Sequence, residues 1–141
     1  MRDKEGILKR NIHNFGVTIG DNVEIGRLTN IDKGSYRDTV IGAGTKIDSM
    51  VHVGHNAIIG KHCLLVAGCV IGGSAEIGDY THIGMNASIK DHVKIGKHVI
   101  VGAGAVVIND VKSGSVMVGN PARMIKDNLT KEQKWRMVGN V

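Results

Sequence analysis

At 141 residues the chain is one domain by length. Hydrophobic residues make up 42%, yet aromatics are only 3%, Gly occurs 20 times and Pro once, which excludes an ordinary ring-rich core and favours a regular stack of narrow coils. The formal charge of +5 is carried by scattered bases without an aromatic platform, so a nucleic-acid surface is not expected and a phosphate-bearing small molecule suits the balance better.

The first residues, 1–12, form a charged lead-in that does not read as a signal peptide. No apolar run reaches the ~20 residues that span a bilayer, so a cytoplasmic protein is expected. From about His13 a six-residue period sets in, through Ile19, Ile25 and Ile31. The step to Ile41 is then ten, so four extra residues are inserted within 32–40 (DKGSYRDTV). A loop that breaks a regular solenoid is a candidate for substrate contact.

From Ile41 the period is unbroken: Ile47, Val53, Ile59, Leu65, Ile71, Ile77, Ile83, Ile89, Ile95, Val101 and Val107. Gly often follows, as at Gly42, Gly54, Gly60 and Gly72. Four residues after each aliphatic stands a small or β-branched residue, from Thr45 and Val51 through Ala57 and Cys63 to Ala105 and Val111. A helix needs intervals of three and four, and a single strand alternates by two. A strict six with one large and one small inward residue fits a short strand and a turn, relaxed by Gly, repeated around a triangular coil. Three hexads close a turn, so residues 18 apart stack along the axis. Parallel coils then satisfy one another's amides.

This frame sorts the reactive side chains. Cys63 and Cys69 take small inward positions on different faces and read as buried hydrophobes. His62, Tyr80 and His98 form an outward column. His55 stands on an outward turn inside VGHNAIIG, and its neighbour one coil on is Gly73. A residue without a side chain beside a histidine leaves room for a ligand and a backbone N–H for a developing oxyanion. A histidine base with such a donor is what direct acyl transfer needs. Beyond Val111 the period fades into VGNPAR. Residues 130–138 read as a short helix covering the open end, with Thr130 and Gln133 as a capping box and Trp135 packing back on the coil or on a neighbouring subunit.

The hexads, VGHNAIIG and VGNPARMI together resemble the hexapeptide-repeat acyltransferases over about residues 14–126. The stretch NIDKGSYRDTVIGAGTKIDSMVHVGHNAIIG is similar to the glucosamine N-acyltransferase of lipid A biosynthesis. The ending GAGAVVINDVKSGSVMVGNPARMIK is similar to acetyl-CoA-dependent sugar N- and O-acetyltransferases of surface-glycan pathways.

The resemblance implies an all-β, left-handed parallel β-helix over 13–126 with a C-terminal helix or tail over 127–141, an exception to the right-handed crossover rule. It implies acetyl-CoA as acyl donor, no metal, and a homotrimer with active sites between subunits. It implies His55 as general base and Gly73 as oxyanion donor. Met85, Ala103, Asn120, Arg123 and Lys126 would line the coenzyme site with Gly73, the cations near phosphate. Asp32, Lys33, Tyr36, Arg37, Asp38 and Asn56 are the candidate substrate contacts. Where some relatives carry an acidic residue after the base, this chain has Asn56, which leaves Asp38 or Asp32 to orient His55. Fewer than ~20 residues precede the hexads, too few for a nucleotide-binding domain, which leaves the acceptor as either a simpler sugar or a nucleotide sugar held only by the coil and the 32–40 loop.

Two rival uses of the coil are a non-catalytic scaffold and a zinc hydratase of the carbonic anhydrase type. The second is disfavoured because those enzymes place two histidine ligands five residues apart, and no two histidines here have that spacing.

Overall fold

The computed structural model describes residues 2–130 together with 132, 133 and 136. The chain folds as a parallel β-helix of about six turns, consistent with the left-handed form that the resemblance implies. Each turn is a triangle with three faces. The first face holds five strands, Val17–Ile19, Thr39–Ile41, Ile58–Ile59, Glu76–Ile77 and Lys94–Ile95. The second runs from Glu24–Ile25 through Lys46–Ile47, Leu64–Leu65, His82–Ile83 and Ile100–Val101 to a terminal hairpin. The third holds Asn30–Ile31, His52–Val53, Val70–Ile71, Ser88–Ile89 and Val106–Val107.

The register follows the sequence period. Pairs such as Val53↔Ile71 and Ile59↔Ile77 are 18 apart. Across the insertion the offset is 22, as in Val17↔Thr39 and Ile31↔Val53, which is 18 plus the four extra residues. Every inward position from Ile41 to Val107 is buried, the large aliphatics and the small residues alike. Thr45 and Thr81, the two polar residues among them, stay satisfied. Thr45 Oγ1 donates to the Gly60 carbonyl at 2.8 Å and accepts from the Cys63 N–H at 3.0 Å, and Thr81 does the same with Gly96 and Val99.

Two details of the period differ from expectation. The glycines after the aliphatics are there for close approach rather than for turn freedom. A Cβ on Gly42 would lie 2.5 Å from the Gly60 carbonyl, and one on Gly60 would lie 2.7 Å from the Asp79 nitrogen. The left-handed backbone falls two residues later, on Asn56 (φ 60), His62 (φ 52), Ser74 (φ 61) and Tyr80 (φ 58), among others; short polar residues adopt it at least cost. Second, Val111 is not a small inward residue. It bridges Ile95, 16 residues back, and so occupies the next large position. The last coil is two residues short, and the Asp110 carboxylate accepts the Lys94 N–H at 2.8 Å where a longer coil would offer a carbonyl. This is why the period fades there.

Both cysteines are buried and free. Burial pushes the Cys63 thiol up to about 11 and the Cys69 thiol up to about 12. Below about 1% thiolate is then present at pH 8. Titration of the folded protein with a chromogenic disulfide at that pH should therefore release no thiol until denaturant is added; prompt reaction of either cysteine would contradict its inward placement.

At the far end Val116–Val118 pairs antiparallel with Arg123–Lys126 around a cis Asn120–Pro121 bond. The capping box is formed, with the Thr130 N–H donating to Gln133 Oε1 at 2.9 Å and the Gln133 N–H to Thr130 Oγ1 at 3.2 Å. Glu132, Gln133 and Arg136 are helical; Trp135 lies outside the described residues. Among the described residues no helix is long and apolar enough to cross a membrane.

Candidate active site

The corner between the third and first faces carries His55 and Asn56, and one coil on it carries Gly73 and Ser74. The His55 ring lies against Gly73: a Cβ there would meet His55 Cε1 and Nε2, each at 2.8 Å. The Gly73 carbonyl accepts from the His92 N–H at 3.0 Å. Its own N–H has no acceptor among the described residues, as is usual for the first corner residue of a coil. The missing side chain of Gly73 admits the histidine edge, as Gly44 does for His62 on another corner; only the Gly73 corner adds the buried Asn56 and the folded-down insertion.

Asn56 is fully buried and joins three elements. Its Oδ1 accepts the Ser35 N–H at 2.7 Å and the Tyr36 N–H at 3.3 Å. Those backbone donors fix which end of the amide is oxygen. The Nδ2 group therefore faces His55 and donates to Nδ1 at 2.8 Å. It also reaches Ser35 Oγ at 3.0 Å. A ring that accepts at Nδ1 carries its proton on Nε2 when neutral. Asn56, not Asp38 or Asp32, thus orients His55. Both Asp38 oxygens are taken, by the Gly16 N–H at 2.8 Å and the Thr18 hydroxyl at 2.9 Å, and these donors hold its carboxyl below the usual range. Asp32 accepts from Asn30 at 2.7 Å and faces His52 at 3.7 Å.

The 32–40 insertion folds down onto this corner. Tyr36 donates its hydroxyl hydrogen to Ser74 Oγ at 3.0 Å. Arg37 donates from Nε to the Asn56 carbonyl at 3.0 Å and pairs with Glu76 at 3.3 Å. Lys33 is exposed at the rim. His13, which sequence reasoning treats only as the start of the period, arrives from the lead-in. Its ring meets His55 edge to face with centroids 5.2 Å apart. Its Nδ1 lies 3.0 Å from the Lys33 carbonyl, which can only accept, so Nδ1 donates. The period could not announce that contact, because the 42 positions between the two rings include the insertion that breaks the step.

The remaining candidates stand elsewhere. Met85 and Ala103 share the corner between the second and third faces, where Met85 is exposed and its carbonyl accepts the Gly104 N–H at 2.8 Å. The terminal hairpin joins that end, since Ala122 donates to the Val106 carbonyl and Val106 to the Gly119 carbonyl. Asn120, Arg123 and Lys126 are exposed there. The third face separates this group from His55 within one chain. His62, Tyr80 and His98 do stack, with centroids 5.2 and 5.1 Å apart, on the remaining corner. Among the described residues no group of three or more His, Cys, Asp or Glu is placed to hold a metal ion.

Residues 38–73 and 74–109 match the family model described as bacterial transferase hexapeptide (six repeats). Over 52 residues the chain is 58% identical to the UDP-3-O-acylglucosamine N-acyltransferase of Methylorubrum extorquens (strain PA1), a match spanning 37% of this chain and 15% of that protein's length. Among solved structures, a hexapeptide transferase family protein from Anaplasma phagocytophilum is 25% identical with a TM-score of 0.78, covering 86% of this chain and 74% of that one. A UDP-N-acetylglucosamine O-acyltransferase from Moraxella catarrhalis is 26% identical with a TM-score of 0.84, covering 96% and 52%. A perosamine N-acetyltransferase variant from Caulobacter crescentus, in complex with CoA and GDP-perosamine, is 27% identical with a TM-score of 0.66, covering 82% and 56%.

Proposed function

Because this chain belongs to the bacterial transferase hexapeptide family, we propose that it moves an acetyl group from acetyl-CoA to an amino or hydroxyl group of a nucleotide-linked amino sugar, with His55 as general base. The observation that carries this reading is the His55 edge held by Asn56 against the bare Gly73 corner. The relatives add weight: one is an N-acyltransferase of a UDP-sugar, and another is seen with CoA and a GDP-sugar.

The nucleophile attacks the thioester carbonyl, the Gly73 N–H stabilises the tetrahedral oxyanion, and the carbon–sulfur bond breaks to release the thiolate. The nucleophile's proton passes to His55 and on to sulfur. Nε2 accepts it only in the tautomer whose proton is on Nδ1, so the Asn56–Nδ1 hydrogen bond must open as substrates bind. Ser35 Oγ at 3.0 Å and Ser74 Oγ at 3.5 Å are the alternative acceptors for the Asn56 amide.

The coenzyme extends along the third face from the His55 corner towards Ala103 and the terminal hairpin. Three coils separate Val53 from Val107 in register, about 14 Å at ~4.8 Å per coil, a length suited to an extended pantetheine arm. A homotrimer stays part of this reading on the strength of the family alone.

Two measurements test this reading. Coenzyme release with a panel of nucleotide amino sugars should identify an acceptor; protein that binds coenzyme A but transfers to none of them would overturn it. Asn56→Asp keeps an acceptor for the Ser35 and Tyr36 N–H groups and offers Nδ1–H a carboxylate. It should therefore raise turnover and move the acid limb of the rate profile up by about one pH unit, because the anion stabilises the protonated ring. An unmoved limb would remove the tautomer argument.

A further inference from the structure

The lead-in segment and the insertion build something that the acyl-transfer chemistry does not use. Residues 13–16 are bonded to the loop at several points. His13 Nδ1–H donates to the Lys33 carbonyl, the Phe15 N–H donates to the Gly34 carbonyl at 3.0 Å, and the Gly16 carbonyl accepts from Gly34 and Thr39, both at 3.1 Å. Between them lies a hollow of about 740 Å³ lined by Arg10, Asn11, Ile12, His13, Asn14 and Lys33. No acidic residue lines it. Among the described residues neither Arg10 nor Lys33 is in an ion pair, whereas neighbouring Lys9 is held by Asp3 at 3.2 Å and Arg37 by Glu76 at 3.3 Å. Two unneutralised cations beside two carboxamides favour a ligand with two adjacent negative charges.

We propose that this hollow binds the diphosphate of the acceptor nucleotide sugar, an inference that rests on the acyl-transfer reading above. His13 fixes the distance. It forms one wall of the hollow, and its ring lies 5.2 Å from the His55 ring. A phosphate anchored here has a neighbour in common with the base, the His13 ring, and so stands a short reach from His55. That spacing fits a nucleotide sugar, whose anomeric phosphate adjoins the ring bearing the nucleophile. It does not fit coenzyme A, whose diphosphate is separated from the thioester by the whole pantetheine arm. The donor's phosphates then belong at the other end of the third face.

Isothermal titration of the full chain with UDP, GDP and coenzyme A tests this. The double substitution Arg10→Gln and Lys33→Gln removes both charges but keeps the Lys33 carbonyl that holds His13. It should weaken nucleoside diphosphate binding by at least about tenfold while changing coenzyme A affinity by less than about twofold. Lys61→Gln, on a different corner, controls for the loss of a surface cation as such and should leave both affinities unchanged. The inference is overturned if neither diphosphate binds the unmodified protein, if the double variant binds them as before, if coenzyme A is the ligand that weakens, or if Lys61→Gln produces the same loss. A melting temperature matching the unmodified protein shows that the lead-in stays folded. The His55→Ala variant separates this inference from the one beneath it, since it should bind the diphosphate normally while losing turnover; retained turnover would sink the acyl-transfer mechanism and leave the hollow standing.

Discussion

His55→Ala lowers kcat by between about two and four orders of magnitude, the range expected when a general base is removed from a site whose other elements persist. The fold should tolerate the change. The ring projects outward from a corner and makes one side-chain hydrogen bond, to Asn56. The Asn56 amide keeps its bonds to Ser35 and Tyr36, and the inward neighbours Val53 and Ala57 are untouched. Melting should shift by no more than a typical surface substitution produces. KM for acetyl-CoA should change little, because most of the proposed coenzyme contacts lie along the third face beyond this corner. Steady-state coenzyme release, with melting measured in parallel, gives the answer, and turnover within a factor of three of the unmodified protein would rule out the assignment.

Gly73→Ala should cost nearly as much, for a steric reason. The added Cβ falls 2.8 Å from His55 Cε1 and Nε2, closer than a methyl and a ring can approach. Gly73 does not adopt a left-handed φ, so alanine brings no backbone strain. The ring must therefore rotate away from the Gly73 edge. We expect kcat to fall by about a hundredfold or more through lost positioning of base and oxyanion donor, with the melting temperature nearly unchanged. Gly42→Ala provides the contrast. Its Cβ would meet backbone of the next coil at 2.5 Å, which cannot swing aside, so that variant should lose stability. If the alanine at 73 left turnover intact, the contact between His55 and the glycine corner would have no bearing on catalysis.

The sequence carried the coil almost completely, because a repeat writes the same contacts many times. Burial of Cys63 and Cys69, the outward His62–Tyr80–His98 column and the juxtaposition of His55 with Gly73 all followed from counting sixes and eighteens. The insertion was visible as a broken step, and its offset of 22 is the register found. The misplacement of Val111 has the complementary cause. A coil shortened by two residues still offers a valine where the old period wants one, and only the strand register reveals the slip. The terminal antiparallel hairpin was hidden for the same reason.

Side-chain partnerships that leave the repeat were not legible. Asn56 orients His55 because the loop supplies backbone N–H groups to its oxygen, a fact that depends on where an irregular segment settles. The carboxylates Asp32 and Asp38 were natural candidates by type, but local donors had already engaged them. His13 stands where the period begins, and it reaches the site across the insertion that breaks the step.

A crystal structure of the full chain with coenzyme A would show whether the coenzyme's reacting sulfur meets His55. The thiol should lie at the His55 corner, within about 4 Å of the Gly73 nitrogen and the His55 ring, as a near-attack geometry requires, with the pantetheine arm running along the third face towards Ala103. A coenzyme whose thiol lies on another corner, with no copy of the chain bringing His55 to it, would rule out His55 as the base.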